Sequence, residues 1–321
     1  MTPKFSNLVS RILVALVAIP AVLCVSYFGG FFFFFFVAAV SCLALNEFYS
    51  MALLKGAAPQ RILGMAAAVA LNGVFFHGRI RSLFSSIFYD REIAAPLLGT
   101  SQIFSTILLF FFVLVLLFEL FRNRGSVFAN AGYTILGVVY IGAFLGTFIG
   151  IRELFGSGFP YRLVQNWVTD ARSAPDASMD AAVYAWGGLT IIAIFASIWM
   201  CDTAAYFGGL AMGRHKLFVR VSPNKTWEGA VWGFFGAVVT MAAAQKFFLP
   251  YLKFHQAVTI GIIIGVFGQI GDLVESLFKR DAGVKDSSTL IPGHGGVFDR
   301  FDSLIFVSPI LYLYLTIVVL S

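Results

Sequence analysis

Charged and metal-binding side chains are scarce in this sequence. Asp, Glu, Lys and Arg together make up 12% of the 321 residues, whereas a typical soluble domain carries about 25%. The 3 cysteines and 4 histidines are too few and too scattered for a disulfide framework or a zinc cluster. The net charge of +6 comes from basic residues in short loops between apolar runs, which is typical of membrane topology rather than of nucleic-acid binding. These shortages exclude an ordinary soluble globule, a disordered chain and a disulfide scaffold.

Apolar residues take the place of the missing charge. They make up 59% of the chain, Phe alone occurs 37 times, and the mean hydropathy is +0.88. A helix needs about 20 mostly apolar residues to cross the hydrocarbon core of a bilayer. Nine segments reach or approach that length: 12–28, 31–54, 62–77, 103–121, 132–151, 184–200, 229–249, 257–277 and 303–320. The sequence therefore predicts an all-α, polytopic integral membrane protein with about nine transmembrane helices and no separate soluble domain.

The nine predicted spans divide the chain into two parts. Residues 1–183 hold about five spans and a polar connection, 152–183, whose centre we expect to be dispensable for catalysis. Residues 184–321 hold the other four spans and two polar loops, and this part is predicted to be catalytic. The first apolar stretch is longer than the core of a typical signal peptide, and another apolar run follows at once, so we interpret it as a retained span.

Lys and Arg residues indicate the orientation in the membrane. With nine spans, 14 of the 22 fall on the side of the N-terminus. Because cytoplasmic loops carry the excess of positive charge, the N-terminus is predicted to be cytoplasmic and the C-terminus external. The polar loops 202–228 and 278–302 each join an even span to the next odd one, so both are predicted to face the cytoplasm.

Two predicted spans carry glycines four residues apart. Gly142, Gly146 and Gly150 lie in the fifth span, and Gly261 and Gly265 lie in the eighth. This spacing lets two helix backbones approach closely. We favour packing within the chain over a dimer interface as the use of these glycines.

The acidic residues are concentrated near the two polar loops. Eight of the 16 lie between residues 202 and 302. Four residues at the end of the eighth span are spaced to share one helix face: Asp272, Glu275, Ser276 and Lys279. Glu275 and Lys279 are in the favourable order for a structural ion pair. Asp272 lies a turn deeper, and a metal or substrate role is favoured there because an unpaired carboxylate in a span is costly.

The loop after the eighth span combines glycines with two acids. Gly293, Gly295 and Gly296 allow backbone N–H groups to converge on an anion. Asp299 and Asp302 are three residues apart where the last span begins. Two such close carboxylates repel each other unless a hard cation lies between them, and oxygen ligands beside phosphate are what Mg²⁺ prefers.

The surroundings of this acid pair favour a metal-bound phosphate. Asp302 alone would suit an ordinary helix N-cap. Four basic residues that could neutralise a polyphosphate lie close by in sequence: Lys279, Arg280, Lys285 and Arg300. Two roles for His294 stay open. It could donate a hydrogen bond to a phosphate, or it could only stabilise the loop.

Polar residues also precede the seventh span. Ser222, Lys225 and Thr226 offer donors just before a helix N-terminus, which is a favourable place for an anion. Glu228 is interpreted as an acid of the first helical turn. This segment is therefore a second candidate for substrate binding.

Residues 276–302 form a recognisable pattern. Its constrained positions are Ser276, Lys279, Arg280, Lys285 and Asp286, followed over 292–302 by Pro-Gly-His-Gly-Gly-Val-Phe-Asp-Arg-Phe-Asp. This spacing resembles the signature of the phosphatidate cytidylyltransferases, also called CDP-diacylglycerol synthases. Residues 202–209 and 222–229 resemble the second conserved region of that family, and the rest of the chain matches it in hydrophobic layout.

The resemblance implies a reaction, a fold and a location. CTP and phosphatidate would give CDP-diacylglycerol and pyrophosphate, with Mg²⁺ as the cofactor and enough acids for a second cation. The fold would be all-helical and commonly a homodimer. The protein would be a multi-pass protein of the inner or plasma membrane, with its active site facing the cytoplasm.

The resemblance also implies roles for individual residues. By position, Asp272, Asp299 and Asp302 correspond to the metal-binding acids of the family, and we predict that they act in catalysis together with Lys279. Ser276 falls in the substrate-binding part of the motif. With the basic and polar residues discussed above, the predicted substrate-binding set is Ser276, Arg280, Lys285, His294, Arg300, Ser222, Lys225 and Thr226.

Three alternative functions stay open. A cytidylyltransferase for another lipid phosphate, of the isoprenoid type, would use the same chemistry. A CTP-dependent lipid kinase would transfer the γ-phosphate instead, and the signature argues against it. A membrane transporter would also place acids and glycine-rich helices in the bilayer, but here the charge lies at one face and no inverted repeat is visible.

Overall fold

Nine helices make up most of the described chain. The computed structural model describes residues 3–88, 99–156, 159–160, 177–291, 293 and 295–321. The helices are α1 Pro3–Phe28, α2 Gly30–Leu54, α3 Arg61–Phe88, α4 Thr100–Phe121, α5 Val127–Glu153, α6 Ala177–Met212, α7 Trp227–Phe248, α8 Phe254–Asp281 and α9 Phe298–Val319. Each predicted span overlaps one of them.

Most of these helices suit a bilayer. Eight of them, α2 to α9, are long and apolar enough to cross a membrane by length and composition, and α1 contributes a shorter apolar helix, Val14–Phe28. In a bilayer only structures that satisfy their own backbone hydrogen bonds can span the hydrocarbon, and an apolar sequence meets that demand as helices. The prediction of an all-α polytopic membrane protein is confirmed.

The sixth and eighth spans are longer than predicted. Helix α6 runs to Met212, so residues 202–212 are helical rather than part of a loop. A methyl group at Gly208 would lie 2.5 Å from the Trp232 ring, so this glycine-containing turn of α6 packs closely against α7. Helix α8 likewise continues to Asp281. The two polar loops therefore shrink to 213–226 and 282–297.

A short β-hairpin replaces part of the first polar loop. Strands β1, Lys216–Phe218, and β2, Ser222–Thr226, are antiparallel, with Lys216 opposite Thr226. These strands were not expected from the sequence. The hairpin leads directly into α7. It thereby fixes the position of Lys225, which lies near the end of β2.

The glycine spacing serves packing within the chain. A methyl group at Gly142 would lie 2.6 Å from Cβ of Ala68 in α3, and one at Gly150 would lie 2.7 Å from the Tyr312 ring in α9. In the other glycine-bearing helix, a methyl group at Gly261 would lie 2.6 Å from Cα of Val238 in α7. Distances this short leave no room for a side chain, so the interpretation as intrachain contacts is confirmed.

The predicted division at residue 183 falls inside α6. A single apolar core includes residues of both parts, from Phe33 in α2 to Val319 in α9. The two parts therefore differ in which of them carries the polar motifs, but they share one apolar core. The centre of the polar connection 152–183 lies outside the described residues, so its predicted dispensability stays a prediction.

Helix ends on the N-terminal side of the bundle meet each other across the two parts. Lys55, just after α2, lies 3.2 Å from a carboxylate oxygen of Asp281 at the end of α8. Because consecutive spans alternate in direction, the hairpin and the 282–297 loop lie at this same face. All the predicted site residues that the structure describes therefore come from one side of the bundle.

At the opposite face, a buried arginine closes the end of α1. Arg152 is fully buried, and its guanidinium donates to the carbonyl oxygens of Ser26 and Tyr27 at 3.1 Å. The Tyr184 hydroxyl donates to the next carbonyl, that of Phe28, at 3.0 Å. The last carbonyls of a helix have no intrahelical partner, and cationic side chains can satisfy them. Arg152 thus attaches α1 to α5 and α6.

Removal of this arginine should loosen α1. We expect Arg152→Met to lower the free energy of unfolding by about 1–3 kcal/mol, because buried carbonyl groups lose their donors. The thermal unfolding midpoint in detergent measures the effect. Lys246→Met, which removes an exposed cation near the same face, serves as the control. Equal midpoints for the two variants would show that Arg152 does not hold α1.

Candidate active site

An acidic cavity lies at the face that carries the two polar loops. It has a volume of about 310 Å³ and is enclosed by α6, α8, α9 and the loop before α9. Its charged lining residues are Asp202, Asp272, Lys279, Asp286, Asp299, Arg300 and Asp302. Asp272 lies nine residues before the end of α8, which places it about 14 Å from that end at 1.5 Å per residue. The cavity is therefore recessed into the bundle.

Three carboxylates approach one another closely in this region. Asp272, Glu275 and Asp302 each offer an oxygen, and these oxygens lie within 4.8 Å of one another. Glu275 is fully buried, and the Lys279 ammonium lies 2.7 Å from one of its oxygens. Such oxygens repel each other unless a cation neutralises them. A donor set of three carboxylate oxygens fits a hard divalent cation such as Mg²⁺.

Cationic and polar side chains surround this cluster. Lys225 of β2 forms an ion pair with Asp272, so the hairpin and the signature helix α8 meet at the site. The Ser276 hydroxyl donates to the other oxygen of Asp272 at 3.3 Å. The first predicted polar loop thereby meets the eighth span at the site.

Lys279 lies between two carboxylates. Its ammonium nitrogen is 2.7 Å from an oxygen of Glu275 and 2.7 Å from an oxygen of Asp299. Burial of all three side chains strengthens this arrangement, since the Glu275 and Asp299 side chains are only 0% and 4% exposed. The Glu275–Lys279 ion pair, which was one of the alternatives for this helix face, is present, and Asp299 is added to it.

The glycine-rich loop binds a carboxylate of the protein itself. The N–H of Gly296 donates to Asp299 at 2.7 Å, and the N–H of Ser287 donates to the same carboxylate at 3.0 Å. Among the described residues these N–H groups thus converge on Asp299, whereas the sequence analysis assigned the loop to an external anion. Gly295 adopts a φ of 81°, where a side chain would be strained.

Asp302 is not a helix cap. Helix α9 begins at Phe298 with Val297 as its N-cap, so Asp302 is the fifth helical residue. One of its oxygens accepts from the N–H of Ser303 at 2.6 Å. The N-cap alternative is therefore wrong, and the Asp302 side chain belongs to the acidic cluster.

A second cavity adjoins the acidic one. It has a volume of about 450 Å³, and Asp286 and Arg300 line both cavities. Lys285, Ser288 and Thr289 also line it. Basic and hydroxyl groups beside a carboxylate cluster are suited to a polyphosphate that carries a bound cation.

The remaining predicted residues lie away from the acidic cavity or outside the described chain. The Arg280 guanidinium donates hydrogen bonds to the carbonyl oxygens of Val221 and Val284, at 3.3 and 2.9 Å. Thr226 is the N-cap of α7, where its hydroxyl oxygen accepts from the N–H of Gly229 at 3.2 Å. Ser222 begins β2 and does not line either cavity in the described part of the chain.

His294 lies outside the described residues, as does Pro292. Glu228 occupies the first turn of α7 as predicted, and it also accepts from the backbone N–H of Arg214 and pairs with His215 at 2.6 Å. The structure therefore groups Lys225, Lys279 and Ser276 with the acids. It does not group Arg280 or Thr226 with them.

Two acids at the site were not assigned by the sequence analysis. Asp202 lines the acidic cavity from α6. Glu47 of α2 accepts hydrogen bonds from the loop and from the start of α9, for example from the N–H of Phe298 at 2.8 Å. Each is an ionisable residue within an apolar helix, which is itself a signal of function.

The fold and the site together define a class. Membrane-length helices enclose a recessed carboxylate cluster flanked by cations, an arrangement suited to an integral membrane enzyme that acts on phosphorylated substrates. The chain matches the sequence model of the Cytidylyltransferase family over residues 9–318. It belongs to that family.

Individual relatives agree with this assignment. The chain is 30% identical over 311 residues to a phosphatidate cytidylyltransferase of Synechocystis sp., with 96% of each chain covered. It is 32% identical over 305 residues to a phosphatidate cytidylyltransferase of Staphylococcus aureus, with 95% of this chain and 98% of the relative covered. A protein of the same name from Staphylococcus epidermidis is 45% identical over 125 residues, or 39% of this chain and 48% of that protein. The resemblance drawn from the signature is confirmed.

Proposed function

We propose that this protein transfers the cytidylyl group of CTP to phosphatidate, which yields CDP-diacylglycerol and pyrophosphate for phospholipid biosynthesis. The observation that carries the proposal is the cluster of Asp272, Glu275 and Asp302 beside a cavity lined by Lys285 and Arg300. The cluster suits a cation, and the neighbouring cavity suits the phosphates that the cation accompanies. The names of the similar proteins support phosphatidate as the acceptor.

The reaction needs alignment more than proton transfer. An oxygen of the lipid phosphate attacks the α-phosphorus of CTP, a new P–O bond forms, and the bond to the β-phosphate oxygen breaks. Pyrophosphate carries away the electron pair of the broken bond. Because the lipid phosphate is already ionised near neutral pH, no strong general base is required, and catalysis depends on positioning and charge neutralisation.

The residues of the site divide this work. Asp272, Glu275 and Asp302 would hold Mg²⁺, which when bound supplies positive charge to the phosphates. Asp299 is also a predicted ligand. Its carboxylate forms an ion pair with Lys279, which in turn contacts Glu275. Lys285 and Arg300 line the adjoining cavity, where they can neutralise a phosphate group. Asp202 adds another carboxylate to the acidic cavity, and it could bind the second cation that the number of acids there suggests.

The orientation and the assembly are part of the proposal. The Lys and Arg distribution supports a cytoplasmic active site, since the cavity lies at the face where α1 begins, and 14 of the 22 Lys and Arg residues are assigned to that side by the predicted topology. The resemblance supports a homodimer. Chemical cross-linking of the purified protein in lipid nanodiscs tests that assembly, and a single uncross-linked band at all doses would contradict it.

Labelled CTP tests the proposed reaction. Purified protein is incubated with phosphatidate, Mg²⁺ and CTP labelled with ³²P at either the α- or the γ-position, and the lipid is then extracted. We expect label in lipid only from the α-position, and only when phosphatidate and Mg²⁺ are present, with loss of the product in EDTA. In sealed vesicles, only those that expose the cytoplasmic face should use added CTP.

The other outcomes are equally distinct. Label from the γ-position would identify a lipid kinase. Label from the α-position with an isoprenoid glycerol phosphate, but not with phosphatidate, would identify a cytidylyltransferase for a different lipid. No labelled lipid from folded protein with any acceptor would overturn the proposal.

A further inference from the structure

Glu47 is a buried carboxylate that contacts the signature loop from the other part of the chain. It is 4% exposed and lies in the apolar helix α2. The hydroxyls of Ser287 and Ser288 lie 2.9 and 2.6 Å from its two oxygens. The N–H groups of Val297 and Phe298 donate to it at 3.0 and 2.8 Å. All four donors lie at least 240 residues further along the chain.

These contacts satisfy the carboxylate and the helix end together. A carboxylate has about four acceptor positions. Glu47 has four donors within reach, and it shares one of them, the single Ser287 hydroxyl proton, with Asp299. The first N–H groups of a helix lack intrahelical partners, and the N-terminal end of a helix favours negative charge. The N-cap of α9, Val297, has no side chain that could serve. Glu47 therefore supplies the cap that the local sequence lacks.

A line of contacts runs from Glu47 to the candidate cation cluster. The Ser287 hydroxyl lies 2.9 Å from a Glu47 oxygen and 3.0 Å from an Asp299 oxygen. Asp299 is 2.7 Å from Lys279, which is 2.7 Å from Glu275. Each member of the line is held by its neighbour, so a displacement at Glu47 reaches the ion pair at the site.

Gly296 shows how tightly this region is packed. A Cβ atom at this position would overlap both the Ser287 hydroxyl and a Glu47 oxygen. The glycine of the signature thus makes room for the Glu47 carboxylate.

We infer that Glu47 is a positioning residue for the reaction: from α2 it fixes Ser287, Ser288 and the start of α9, and so it aligns the Asp299–Lys279 pair. The inference rests on the proposed cytidylyl transfer. Glu47 does not line either cavity, and its effect on catalysis passes through Ser287 and the loop. A change of this kind far from the reacting atoms can cost on the order of 10²-fold in rate.

Glu47→Gln tests the inference because the amide keeps the shape but turns one acceptor into a donor. That donor would face N–H and O–H donors. We expect kcat to fall on the order of 10- to 100-fold and hydrogen exchange of the loop 284–297 to accelerate. Glu119→Gln is the matched control. Glu119 is also 4% exposed, in α4, and it accepts from Gln60 and Asn130 away from the site.

The control should lose stability without a specific loss in kcat or a change in exchange at 284–297. A Glu47→Gln protein with wild-type kcat and wild-type loop exchange would overturn the inference. If that variant does not fold, Ser287→Ala removes the hydroxyl that contacts both Glu47 and Asp299 and that lines neither cavity. Faster loop exchange with reduced kcat then supports the inference, and a lowered melting midpoint with unchanged kcat overturns it. Absence of labelled lipid from the wild-type protein would instead refute the proposed function, which the exchange measurement does not depend on.

Discussion

Asp272→Asn and Asp302→Asn should each lower kcat/KM for CTP by on the order of 10²- to 10³-fold in folded protein. Both carboxylates belong to the cluster whose oxygens lie within 4.8 Å of one another. The amide keeps the shape of the side chain but removes the charge that would hold the cation. The rate of transfer of α-³²P from CTP to lipid, measured over a range of Mg²⁺ concentrations, checks this expectation.

Asp281→Asn is the matched control for these variants. Asp281 ends the same helix, α8, but its side chain is 58% exposed and pairs with Lys55 at the surface. Exposed ion pairs contribute about 0–1 kcal/mol, so this variant should keep wild-type stability and activity. If the two cluster variants fold and also keep wild-type activity, then the cluster has no part in the reaction.

The same Mg²⁺ titration distinguishes two candidates for the third ligand. Sequence analysis predicted Asp299, whereas the geometry places Glu275 with Asp272 and Asp302. Glu275→Gln and Asp299→Asn remove one charge each, and both side chains contact Lys279. The residue that binds the cation is expected to give the larger rise in the Mg²⁺ concentration needed for half-maximal activity. Calorimetric titration with Mg²⁺ alone provides a second readout.

Lys279→Met should reduce both stability and activity. Removal of the lysine leaves Glu275 and Asp299 close together without their shared cation, and the loss of one partner of a buried pair costs about 3–5 kcal/mol. The thermal midpoint in detergent measures this loss. Activity should fall as well, because Lys279 lines the acidic cavity and can contact a phosphate.

A double variant separates the two effects. Glu275→Gln combined with Lys279→Met removes one of the stranded charges, so part of the stability should return while the activity stays low. Lys55→Met, at the exposed pair with Asp281, is the control and should change stability by about 0–1 kcal/mol. A Lys279→Met protein with the wild-type midpoint would show that the lysine does not neutralise these acids.

The sequence was informative where the relevant signal is local. Runs of apolar residues predicted all nine helices of the described part of the chain, since in a bilayer each span must satisfy its own backbone. The spacing of Asp272, Glu275 and Lys279 predicted a shared helix face, and the ion pair at 2.7 Å follows from it. The signature over 276–302 indicated the family that residues 9–318 match.

The sequence was less informative where neighbours in space are distant in the chain. Arg280 follows Lys279 directly, yet the two point to different partners, Val221 in the hairpin and Asp299 in α9. Asp299 and Asp302 are three residues apart, yet only Asp302 joins the three-carboxylate cluster. The reason is that the donors around Asp299, on the backbone of Ser287 and Gly296, exist only once the loop has folded.

Glu47 and Glu119 show most clearly where the sequence stops and the tertiary structure decides. Each is the one charged residue of an apolar span, 31–54 and 103–121, and each becomes 4% exposed. The sequence by itself determined that both must find partners, because an unpaired carboxylate in the bilayer is too costly. Only the tertiary structure decided which partners they find. Glu47 accepts hydrogen bonds from the loop before α9, because α2 packs against that loop. Glu119 accepts hydrogen bonds from Gln60 and Asn130. The donors of Glu47 lie 240 to 251 residues away, and no local pattern can encode a contact over that distance.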